Sequence, residues 1–179
     1  MSAPSPAYPW YALLDGDDLE QGDIFEACPV FSPPDDLAME PATESTFRWE
    51  ERDLVVMSQT CDLVKHREKV TEVLLCAVWR RSELTEGHVA TAKGMEDARR
   101  GNLPAFHVLA ECPLPNFERE VRVVNFPRVY SVPVGFLRKR ALVAGLRLRV
   151  LPPYREHLSQ AFARFFMRVG LPVEIPSFK

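Results

Sequence analysis

The sequence predicts a mainly β fold: a small SH3-like, partly open barrel with a surface helical insertion and a C-terminal amphipathic helix. Three observations predict it. Short apolar runs rich in β-branched residues recur, above all Asp53 to Gln59 and Thr71 to Trp79, and their unbroken apolar character suits strands buried on both faces. Proline and glycine punctuate these runs. One late segment, Pro153 to Val169, instead repeats its apolar residues at helical spacing. The chain has 179 residues, enough for one domain with a real core.

Taken in order, residues 1–14 read as a flexible arm, since Pro4, Pro6 and Pro9 block regular pairing, and 15–179 as one domain. Gln21-Gly22-Asp23 leads into a first strand, Ile24 to Phe31, where Pro29 points to an edge position or a bulge. Ser32 to Ser45 carries Pro33, Pro34 and Pro41 and reads as a loop. Thr46 to Glu50 is a short strand ahead of Asp53 to Gln59, and Lys65 to Lys69 a charged connection to Thr71 to Trp79. Residues 82–102 form an insertion on the surface, with Ser82 placed to cap a helix. Ala105 to Ala110 is a strand. Glu120 to Phe126 and Arg128 to Val132 are two strands meeting at Pro127. Arg138-Lys139-Arg140 is a solvated turn. In Ala141 to Leu151, Leu146, Leu148 and Val150 alternate with Arg147 and Arg149, which predicts a half-exposed strand. The final helix, 153–169, is expected to pack a stripe of Tyr154, Leu158, Ala161, Phe162, Phe165, Phe166 and Val169, with Gly170 as its C-terminal cap.

Charge is divided along the chain. Residues 1–118 hold 22 acidic and 10 basic residues, and 119–179 hold 3 acidic and 12 basic ones. Such a split predicts either a polyanion site or two halves that neutralise each other, and the second is favoured. No run of about 18 apolar residues occurs, so no membrane span is expected. The proline-rich start lacks a basic region followed by an apolar stretch, so a secretory signal is not expected and the compartment predicted is the cytoplasm. The four cysteines form no CxxC pair. Cys28 and Cys76 lie in apolar strand patterns and read as buried small hydrophobes.

The running order of elements resembles the PemK/MazF toxin family, small SH3-like barrels that cut RNA without a metal. The likeness rests on Gln21-Gly22-Asp23-Ile24, where that family has Arg-Gly-Asp-Ile. It rests also on Arg52-Asp53-Leu54-Val55-Val56-Met57-Ser58, where the family has Arg-Pro and then an apolar strand ending in Ser. Val73 to Trp79 would be the next family strand, and Val124 to Leu137 resembles the late strand and short turn before the terminal helix. The chain departs from the pattern at Asp53, which replaces Pro, and at Trp79-Arg80, which stands where the family has a Pro-then-Ser/Thr stretch implicated in cleavage. The resemblance implies RNA as a partner, a toxin–antitoxin context, a homodimer, and Arg52 as the cation of the site.

The polar patch Ser58-Gln59-Thr60-Cys61-Asp62 follows the central strand, where rigid scaffolds present chemistry. Metal-independent RNA cleavage needs a base and a cation. Arg52 supplies the cation, with Thr60, Asp62 and His66 as proton handlers or hydrogen-bond partners; the plainer reading pairs Arg52 with Asp53 or Glu50. Cys61 and His66 suggest an activated thiol, against a structural thiol in a hydrogen-bonded turn, which is favoured. Cys61, His66, His107 and Cys112 are the best quartet for zinc, at a spacing looser than known short motifs, so no metal is expected. Nucleic acid bound without cleavage would contact Ser58, Gln59 and Cys61 and track along Arg122, Arg128, Arg138 and Arg140, with Arg119, Arg147 and Arg149 nearby. No Gly-rich phosphate loop, paired catalytic carboxylates or serine triad occurs, and no cofactor is expected. The rival to nucleic-acid binding is a non-enzymatic protein–protein interaction module on the same barrel.

Overall fold

A computed structural model describes residues 8–32 and 48–167. Its centre is a seven-stranded antiparallel sheet that does not close. The strands are β1 (Tyr11–Leu14), β2 (Asp23–Ser32), β3 (Arg48–Val56), β4 (Glu72–Arg80), β5 (Phe106–Leu109), β6 (Arg122–Pro133) and β7 (Arg147–Val150). They lie in the order β1-β7-β2-β3-β4-β6-β5. Three helices join them: α1 (Ala92–Arg99), α2 (Val134–Ala144) and α3 (Tyr154–Phe166). The fold is therefore mainly β with helical additions, as the strand runs predict.

Both faces of the sheet are covered, which is why its central strands are apolar without alternation. Ile24, Val55, Cys76, Val78 and Phe126 face α3, where they meet Leu158 and Phe165. Phe25, Leu54, Val56, Val73 and Leu75 face α2, where they meet Leu137 and Ala141. A third, smaller core of Leu84, Val89, Ala98 and Val123 lies under the insertion.

Several expectations need correction. Tyr11–Leu14 is not part of a flexible arm: it pairs with β7, and Trp10 stacks on Tyr154 with ring centroids 3.5 Å apart. Residues 1–7 of the expected arm, the loop proposed between Ser32 and Ser45 beyond its first residue, and the Gly170 cap lie outside the described residues. Phe166 departs from the apolar stripe expected of the final helix and is 57% exposed. In the insertion, Ser82 caps no helix but sits in a single 3-10 turn, and Thr91 caps α1 by accepting from the Gly94 amide at 2.9 Å.

Pro127 does not divide two strands. The pairing jumps from Cys76 with Val129 to Ala77 with Asn125, so Pro127 sits in a bulge of one continuous β6, where its missing N–H disturbs no ladder. Pro29 behaves as expected. A bulge lies between Phe25 and Cys28, and β7 pairs only with Asp23 and Ile24, which leaves that side of β2 an edge.

Arg138-Lys139-Arg140 is not a solvated turn but part of α2. Pro133 precedes that helix, Val134, Leu137 and Ala141 recur at its buried positions, and Gly145 with φ 67° ends it. Ala141–Ala144 accordingly belongs to α2 rather than to a strand. Only Arg147–Val150 forms a strand, and it is buried throughout instead of half-exposed. Its arginine face meets carboxylates rather than water.

Candidate functional site

The two motifs read from the sequence meet at one corner. Gly22 joins three strands there: its N–H donates to the Val56 carbonyl and its own carbonyl accepts from the Val150 N–H, each at 2.9 Å. Its φ of 89° and a would-be Cβ only 3.0 Å from the Val150 carbonyl oxygen explain glycine at this position. Beside it, the buried Gln21 side chain donates to the Met57 carbonyl at 2.8 Å and lies 3.4 Å from Ser159 Oγ on α3. Gln59 reaches the same Ser159 hydroxyl at 3.3 Å. Thr60 Oγ1 accepts from the Gln21 N–H at 3.2 Å, and Ser58 Oγ accepts from the Leu74 N–H at 2.8 Å. Ser58, Gln59 and Thr60 thus fasten the end of β3 to β4, to the Gln21 turn and to α3. Ser159 carried no signal in the sequence.

The next residues turn outward. Cys61 is exposed, and its thiol donates to Asp62 Oδ1 at 3.5 Å, while Asp62 also pairs with Lys69 at 3.5 Å. His66 is exposed with φ 65° in the connection to β4. Among the described residues, Cys61 has no hydrogen bond to an imidazole. Cys28, Cys76 and Cys112 are buried, and burial pushes the Cys28 thiol up to about 11 and the Cys76 thiol up to about 12. Among the described residues, no group of three or more His, Cys, Asp and Glu side chains is arranged to hold a metal. His107 packs against Phe126, with ring centroids 6.3 Å apart.

Arg52 lies elsewhere, part-way along β3. It donates to Glu50 at 2.6 Å, and this bond holds the Glu50 carboxyl below its ordinary range. The Arg52 Nε is buried with no hydrogen-bond partner among the described residues. Arg52 lines a cleft of about 440 Å³ together with Arg128, Trp79, Glu51, Glu83 and Glu86. Thr60, Asp62 and His66 are not part of its wall. The four residues considered for cleavage are therefore not gathered in one pocket.

Most of the arginines considered for a phosphate track point into the protein. Arg122 is wholly buried and pairs with Glu26 at 3.0 Å. Arg138 donates to the carbonyls of Asp17 and Leu63 at 2.8 and 2.9 Å and pairs with Glu68. Arg140 donates to the Ala27 carbonyl at 2.8 Å. Arg147 and Arg149 converge on Asp23, which has no exposed surface, and Arg149 and Arg155 both reach Glu20. These pairs join the basic half to the acidic half, so the charge split largely closes within the domain. Arg128, exposed on β6, is the member of the track that faces the cleft.

No protein-family model matches this chain, and no curated protein matches it. Among the described residues, no helix is long and apolar enough to cross a membrane.

Proposed function

We propose that the chain binds single-stranded RNA in the cleft lined by Arg52, Arg128 and Trp79, as a PemK/MazF-like protein. One observation carries the reading: Arg52, which the resemblance singles out, and Arg128, which the charge pattern singles out, come from different strands to one cavity beside an indole. Guanidinium groups hold phosphate through paired N–H donors. An aromatic face gives a base a surface on which to stack, worth about 1–3 kcal/mol per base. Strand cleavage in this cleft would use Arg52 to stabilise charge on the phosphorane. The base that takes the 2′-hydroxyl proton would be Glu51 or Glu86, which share the cleft, rather than Thr60, Asp62 or His66.

The test incubates the purified chain with mixed RNA in EDTA, and measures binding of a labelled oligonucleotide across a salt series. Salt-sensitive binding that weakens in Arg52→Ala and in Arg128→Ala supports the cleft. For a single strand, each lost phosphate contact lowers the slope of log affinity against log salt by about 0.7. Cleavage abolished in Arg52→Ala and in Glu51→Gln or Glu86→Gln would extend the proposal to an endoribonuclease. Absence of binding, or binding by both arginine variants equal to that of the parent, overturns it.

The second reading, a protein-interaction module, is favoured by a different observation. Phe31 and Trp49, register partners on β2 and β3, are 61% and 62% exposed, and Val129 stands out from β6. Phe31, Val129, Tyr130 and Phe136 line an adjoining groove of about 380 Å³. Exposed apolar patches of this kind mark contacts between proteins. A homodimer using this face would dissociate in Trp49→Glu, which sedimentation of the two forms would read directly.

A further inference from the structure

A second groove, between α1, β5 and α3, is distinct from the Arg52 cleft and from the polar corner at Gln21. It holds about 360 Å³. Arg99 and Arg100 reach it from the end of α1, His107 from β5, and His157, Gln160 and Arg164 from α3. No carboxylate belongs to its lining. The acid on α1 beside them, Glu96, accepts from Arg99 Nε and Nη2 at 2.7 Å each and from Arg100 Nε at 2.6 Å, so one carboxylate answers two guanidiniums. Asp97 is engaged by His88, and Glu156 by Arg155. Arg164 makes no ion pair or hydrogen bond among the described residues. Among the described residues, the three arginines thus leave two positive charges unanswered before either imidazole is protonated.

The histidines add donors rather than charge. His107 is largely buried, and burial together with the neighbouring His157 brings its pKa down to about 4, so at neutral pH it is an uncharged ring with one N–H to donate. The Gln160 amide can supply further donors.

We propose that this groove binds a phosphate dianion, free or as the terminal group of a monoester. The double negative charge equals the unanswered arginine charge, and guanidinium, imidazole and amide donors suit its oxygens. A phosphodiester carries one charge and satisfies half of the surplus, so a terminal phosphate is preferred over an internal one. The dianion can come from free phosphate, a sugar phosphate or a nucleoside monophosphate.

The experiment follows the imidazole NMR signals of His107 and His157 while the full chain is titrated at constant ionic strength with inorganic phosphate, glucose 6-phosphate and AMP. Saturable shifts of both rings, with a dissociation constant of millimolar or tighter, are expected for at least one of the three. Arg164→Gln, a change at an exposed position, should weaken binding tenfold or more, while Arg67→Gln, exposed in the connection before β4, leaves it unchanged. AMP saturating at a tenth or less of the phosphate concentration assigns the source to a nucleotide. Equal saturation by all three assigns recognition to the phosphate group alone. Shifts that never saturate, or equal weakening by Arg164→Gln and Arg67→Gln, overturn the proposal. RNA binding through Arg52 is read in a separate assay, so failure of either proposal leaves the other standing.

Discussion

Two arginine clusters in this protein have the same chemistry and opposite surroundings. Arg147 and Arg149 lie buried around Asp23, with Glu20 and the carbonyls of Gly16 and Asp18 completing their partners. Arg99, Arg100 and Arg164 line an open groove whose wall holds no carboxylate, and Glu96, outside it, answers only the first two. The difference teaches that arginines alike in sequence are either consumed by the protein's own carboxylates or left facing an open groove, and that the fold decides which. In the second half of the chain, the topology brings β7 beside β2, and with it the acidic turn before β2. Arginines on β7 are therefore claimed by the protein itself. Those at the end of α1 and on α3 border the edge strand β5, where fewer acids stand.

The sharpest break of this comparison is Asp23→Ala. It removes the central carboxylate and leaves two guanidiniums, 2% and 10% exposed, without their main counter-charge. Breaking a buried pair from one side costs about 3–5 kcal/mol. Urea unfolding should show a loss of that size, and a loss below about 1 kcal/mol would mean that Arg147 and Arg149 find water or other partners and are not truly interior.

A pH series sharpens the same contrast at a neutral group. His107 has its folded pKa depressed to about 4 by burial and by His157, against 6.5 for the free ring. Its contribution to stability is therefore complete above pH 6.5 and is lost as pH falls toward 4, because the unfolded chain takes up the proton first. Between pH 7 and pH 5 this amounts to roughly 2 kcal/mol. His107→Gln should flatten the unfolding midpoint over that window.

How much of this was legible in the sequence follows the same division. The central strands were, because Val55, Val56, Leu75 and Cys76 are buried on both faces and nothing interrupts their apolar run. The meeting of Gln21-Gly22 with Ser58 to Asp62 was not, although each stretch stood out alone, because it depends on Gln21 reaching Met57 and Ser159 across long sequence separations. α2 was missed because three basic residues in a row read as solvated, whereas Arg138 and Arg140 end on carbonyls of neighbouring turns. A signal was present in the spacing of Val134, Leu137 and Ala141 before Gly145. The alternation in β7 was read correctly as a strand and wrongly as half-exposed, since nothing local says that Asp23 waits opposite Arg147 and Arg149.

The smallest expected effect is the most telling for the cleft. Arg52→Ala removes a side chain whose ion pair with Glu50 is 37% and 43% exposed on its two sides. Exposed pairs contribute about 0–1 kcal/mol, and surface substitutions usually stay within about 0.5 kcal/mol. Stability should therefore barely change, in contrast to Asp23→Ala. If unfolding of Arg52→Ala is nearly that of the parent while RNA binding falls, the residue is held at the cleft for a ligand and not for the fold. If instead stability drops by 2 kcal/mol or more, the buried Nε has a structural partner, Arg52 joins the interior class of Arg147, and the cleft loses its principal cation.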